Sequence, residues 1–206
     1  MYYGPFLERF PEVAAQETRV ITAQGHALLP DGEYGLVELF CTEPGCDCRR
    51  VMLSIYQLEP KKLLATISYG WESADFYARW FGTDDPNIIR EMQGPNLNPD
   101  SPVSPLSPIL LALVKAILLQ DKAYVARVKR HYRIFKNAVD AEAGLKRRGG
   151  LGNGRCPNAK KGAEQRSIRN PKSTKETHHV TESSPVWQDS CRRIVVVGEP
   201  HWLLLS

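Results

Sequence analysis

The chain has 206 residues, 42% of them hydrophobic and 24% charged, which are the proportions of an ordinary globular protein with room for one substantial core. Its formal charge of +4 is unevenly spread: residues 146–175 hold ten Lys and Arg against one acid, whereas residues 1–145 hold 15 against 18. The longest apolar run, residues 109–119, is interrupted by Lys115 and is too short to cross a bilayer, and the first residues lack the apolar stretch of a secretory signal. These features predict a cytoplasmic protein without membrane association. Three of its five cysteines fall within eight residues, which in that setting points to a metal site rather than a disulfide framework.

Residues 1–18 read as an irregular arm with short helical possibilities, because Pro5 and Pro11 interrupt it closely. Four β-branched or aromatic runs follow, at residues 19–22, 34–41, 49–57 and 62–69. Turn residues separate them: Leu29-Pro30-Asp31-Gly32, Glu43-Pro44-Gly45 and Glu59-Pro60. The simplest arrangement is an antiparallel meander of three or four strands. Alternation places Val37, Leu39 and Cys41 on a covered face with Glu38 on the other, and Val51, Leu53 and Ile55 repeat the pattern. Two short helices are expected at residues 73–81 and 86–92, and a proline-rich connection runs from Gly94 to Pro108.

A helical segment opens near Ser107-Pro108, where serine can cap and proline suits the first turn. Farther along, Val125, Val128, Tyr132, Phe135 and Val139 recur at steps of three and four. Arg127, Lys129, Arg130, Arg133 and Lys136 fill the positions between, as in an amphipathic helix lying on the sheet. Gly144 suits a helix stop. The expected architecture is α+β: a zinc-containing domain over residues 1–143, with a β-meander packed against C-terminal helices. Residues 144–206 are expected to form a basic, disordered tail with a short strand at residues 194–197.

Cys41, Cys46 and Cys48 form a C-x4-C-x-C pattern across a Pro-Gly turn between two strands. That turn folds the segment back, so the cysteine ending one strand approaches the two that precede the next. Three thiolates there can occupy three corners of a tetrahedron, about 2.3 Å from a zinc ion. For the fourth corner the first candidate is His26, then Cys156 and His131; a water would leave the site open. Arg49 and Arg50 follow Cys48 directly and can offset the negative charge of the thiolates. The plainer reading of the trio is a set of free cysteines at strand ends.

These residues carry a resemblance. The block from Tyr34 to Val51 with its Cys-Asp-Cys-Arg-Arg-Val ending resembles a family of uncharacterised bacterial proteins, as do Ile67-Ser68-Tyr69-Gly70-Trp71-Glu72 and Leu119-Gln120-Asp121-Lys122-Ala123-Tyr124. Some members of that family continue into a SEC-C type zinc knuckle. The resemblance covers about residues 15–140 and implies no activity; the tail lacks the knuckle's ligand pattern beyond Cys156-Pro157.

Other features are less informative. The aromatic stretch Tyr69, Trp71, Phe76, Tyr77, Trp80 and Phe81 reads as core before it reads as a ligand groove. The basic stretch, with Lys146, Arg147, Arg148, Arg155, Lys160 and Lys161, suits a phosphate backbone or a solvated tail without a partner. Asp84-Asp85 and Asp121 read as helix caps rather than acid–base groups. The sequence thus predicts a zinc-binding protein with a structural site and a non-catalytic binding or regulatory role. Its alternatives are nucleic-acid binding through the tail, and a metal-dependent enzyme with an open zinc position.

Overall fold

A computed structural model describes residues 2–144 and 192–197. The arm of the first 18 residues is more regular than its prolines suggest. It forms strand β1 (Tyr3–Pro5) and helices α1 (Phe6–Arg9) and α2 (Pro11–Glu17). Pro11 opens α2 at a position where its missing N–H costs nothing. The meander is present as four antiparallel strands: β2 (Arg19–Gln24), β3 (Gly32–Cys41), β4 (Arg50–Gln57) and β5 (Lys62–Gly70).

Three further strands enlarge it. β6 (Asn96–Leu97), inside the proline-rich connection, pairs with β5. The strand expected at residues 194–197 is present as β7 (Arg192–Val197), which lies parallel to β2 and so joins the sheet. β1 and β2 share the edge of β3 that faces away from β4. β1 runs beside its C-terminal end, with Tyr3 opposite Cys41, and β2 beside its start, with Val20 opposite Gly35. The sheet is therefore mixed but mostly antiparallel, and the fold is α+β.

The helices stop and start where local chemistry directs. Ser73 caps α3 (Ala74–Phe81), which ends at Gly82 in the left-handed conformation. Asp85 caps α4 (Pro86–Gln93). The segment from Ser107 is not one helix. α5 (Ser107–Leu113) passes into a π-helical turn at Val114–Leu118, and Asp121 then caps a new helix, α6 (Lys122–Glu142). Asp85 and Asp121 are thus helix caps, as their positions suggest. No described helix is long and apolar enough to cross a membrane.

α6 lies on the sheet face formed by Tyr34, Leu36, Glu38 and Phe40, and the ring of Phe40 meets those of Tyr132 and Phe135. Of the three β3 residues expected on the covered face, only Cys41 is fully buried. Leu36, Glu38 and Phe40 are buried, while Val37 and Leu39 are only partly so. Val51, Leu53 and Ile55 do face the core, with Glu38 opposite Leu53. Glu38 is only 8% exposed because His131 of α6 receives it: Nδ1 lies 2.7 Å from Glu38 Oε2, and Nε2 lies 2.9 Å from Glu17 Oε2. The imidazole stacks on Phe6, 4.2 Å between ring centres, and Arg130 pairs with Glu17. One histidine thereby ties α2, α6 and the middle of β3 together. The aromatic stretch is core: Tyr77 and Trp80 are buried, Trp71 meets Tyr132, and Phe76 lies beneath Arg49.

Candidate metal centre

Cys41 is the last residue of β3, and Cys46 and Cys48 lie in the loop that leads to β4. Gly45, at φ 71°, takes the left-handed conformation that the turn between them requires. All three cysteines are fully buried and none is in a disulfide. Their sulfur atoms lie within 4.8 Å of one another. Around a tetrahedral zinc the sulfurs stand about 3.8 Å apart, given bonds of about 2.3 Å. The trio can therefore hold a metal ion with little rearrangement.

The loop is held by side chains remote in sequence. Three residues on one stripe of α6 meet it in succession. Tyr132 donates to Asp47 Oδ1 (3.1 Å) and accepts from Arg49 N–H (3.2 Å). Lys136, with no exposed surface, donates to the carbonyls of Cys41 (3.2 Å) and Glu43 (2.6 Å). Asp140 accepts from Gly45 N–H at 2.8 Å. From α3, the Tyr77 hydroxyl donates to Arg49 C=O at 2.9 Å.

Arg49 has φ 48°, a strained conformation for a residue with a β-carbon. Both its backbone groups are bonded, and its guanidinium reaches Asp47 (2.9 Å), Glu72 (3.3 Å) and the ring of Phe76. This over-determination keeps the backbone between Cys48 and β4 in a conformation it would otherwise leave.

The electrostatics favour a thiolate. Hydrogen bonds from the Cys41 and Cys46 thiols hold the Cys48 thiol well below its ordinary range. The charge and backbone N–H of Arg50 add to this, against the opposing effect of burial. Burial, reinforced by Cys48, pushes the phenols of Tyr3 and Tyr132 up, so both stay neutral beside the sulfurs.

His26 does not join the cysteines. It sits in the turn between β2 and β3, at the opposite end of a ten-residue strand, about 30 Å of extended chain from Cys41. Its Nδ1 accepts the N–H groups of Leu28 (3.2 Å) and Leu29 (3.1 Å), which makes it a turn-closing residue. His131 is committed to two glutamates. Cys156 and the tail residues Lys146, Arg147, Arg148, Arg155, Lys160 and Lys161 lie outside the described residues. Among the described His, Cys, Asp and Glu residues, Cys41, Cys46 and Cys48 alone form a group with metal-binding geometry.

The sequence reading missed Lys136 and Asp140. Their signal was weak: a lysine and an aspartate four apart on a helix ordinarily pair at the surface. No protein-family model matches the chain, and comparison with curated proteins and with solved structures likewise found no match.

Proposed function

We propose that Cys41, Cys46 and Cys48 bind zinc, that the ion is structural, and that the protein has a non-catalytic binding or regulatory role. The observation that carries this reading is the complete burial of three thiols whose sulfurs converge within 4.8 Å. A catalytic zinc keeps a position reachable by substrate and water. Here all three candidate ligands lie in the core, in contact with the sheet and α6. A zinc ion there would link the end of β3 to the start of β4 and lower the cost of closing the loop. The Cys-Asp-Cys-Arg-Arg-Val motif of the bacterial family named above agrees with this reading and adds no activity to it.

The test is the metal content of the full chain, purified without chelator, and of Cys46→Ser. About one equivalent of zinc is expected in the wild type, lost in the variant together with a fall in melting temperature on chelation. Less than about half an equivalent, or melting indifferent to chelator, would contradict it.

A further inference from the structure

Three thiolates around a divalent ion leave one negative charge inside a nonpolar interior, where an uncompensated charge is costly. Most charged groups near the cysteine loop are already engaged. Arg49 faces Asp47 and Glu72. Lys136 donates to two loop carbonyls, and the oppositely charged Asp140 stands one helical turn along the same stripe.

Arg50 is different. It is only 5% exposed, and its guanidinium donates to Ser68 Oγ (3.2 Å), Met92 Sδ (3.3 Å) and Glu91 C=O (3.4 Å), all uncharged acceptors. Its Nε is buried without an acceptor among the described residues. Arg50 opens β4 two residues after Cys48, and the register of β3 and β4, with Leu39 opposite Met52, leads to Cys41 and Arg50 at the same end of the pair. The charge of Arg50 helps to hold the Cys48 thiol down. The guanidinium thus buries a positive charge at the start of β4.

We propose that Arg50 is the specificity-determining residue of the cysteine site, balancing the single negative charge of three thiolates around a divalent ion and so favouring divalent over trivalent thiophilic ions. This rests on the reading that the trio binds a metal as thiolates. Zinc displaces three protons from the thiols and leaves a centre of charge −1, which Arg50 neutralises. Arsenous acid condenses with three thiols, releases three waters and leaves a neutral centre, beside which Arg50 is unbalanced. Outer-shell partners change metal affinity by about ten- to a hundredfold, enough to decide between such ions.

The experiment compares the full chain with Arg50→Met, Arg50→Gln and Arg50→Lys. Zinc affinity is read against a chromophoric chelator, and arsenite is then titrated into the zinc-loaded protein. Both neutral variants should lose about tenfold or more in zinc affinity with arsenite affinity undiminished, so that about tenfold less arsenite displaces half the zinc. Arg50→Lys, which keeps the charge, should stay near the wild type. Arg50→Gln retains a donor toward Ser68 and Glu91 and answers the question where the methionine variant fails to fold. Equal weakening of zinc and arsenite, unchanged affinity for both, or a lysine variant as impaired as the neutral ones would overturn the proposal. A wild-type chain that takes up no zinc overturns the metal reading as well, which separates the two failures.

Discussion

The two ends of β3 are closed in different ways. At its start, the turn between β2 and β3 is closed by its own residues: His26 accepts from Leu28 and Leu29, Asp31 from Gly25, and the Tyr34 hydroxyl donates to Pro30 C=O. At its finish, the cysteine loop is bonded by Tyr77, Tyr132, Lys136 and Asp140, from helices far along the chain. A local turn forms with its own segment. The cysteine loop is held in addition by α3 and α6, so the arrangement of its sulfurs depends on distant parts of the fold. Between the two ends, Glu38, His131 and Glu17 fasten α6 at mid-strand.

Among the distant contacts that hold the cysteine loop, the largest effect is expected at Lys136. Lys136→Met leaves two loop carbonyls, one of them buried, without their charged donor, and we expect a loss of about 3 kcal/mol in urea unfolding. A loss under about 0.5 kcal/mol would mean that the distant contacts do not hold the loop. Gly70→Ala tests the α3 contact, because a β-carbon there would lie 2.2 Å from the Tyr77 hydroxyl oxygen and 2.7 Å from Met92 C=O. Displacing that phenol from Arg49 should cost about 2 kcal/mol by the same measurement. Stability within error of the wild type would show that Tyr77 is dispensable.

His26→Ala should cost about 1 kcal/mol, for two turn N–H groups without their acceptor, and leave zinc uptake unchanged. Reduced uptake in that variant would mean that the two ends are coupled through the strand. The smallest effect belongs to Glu17. Burial pushes its carboxyl up, but the hydrogen bond from His131 and the charge of Arg130 outweigh it and hold the group below the ordinary 4.5. A carboxyl depressed in the folded state stabilises above its unfolded value and loses that contribution as the pH falls through its folded value. Glu17→Gln should therefore flatten the decline of melting temperature below about pH 4.5. An unchanged acid limb would contradict the clamp.

Local patterns made the meander legible, since β-branched runs and Pro-Gly turns fix strands without reference to distant partners. The caps at Asp85 and Asp121 were legible for the same reason. What failed depended on distant partners. Alternation with Val37 and Leu39 puts Glu38 on the outer face, whereas it is buried against His131, a partner 93 residues away. Lys136 was read as solvent-facing, although its acceptors are carbonyls of the cysteine loop. His26 was chosen as a ligand for its nearness in sequence, whereas the length of β3 separates it from Cys41. Cys41, Cys46 and Cys48 were readable because their spacing across one turn is itself local.

X-ray absorption at the zinc edge of the full chain tests the central claim most directly. A first shell with three sulfur atoms at about 2.3 Å is expected, absent when Cys41, Cys46 and Cys48 are all replaced by serine. A shell made only of nitrogen and oxygen, or no bound zinc in protein purified without chelator, would contradict it.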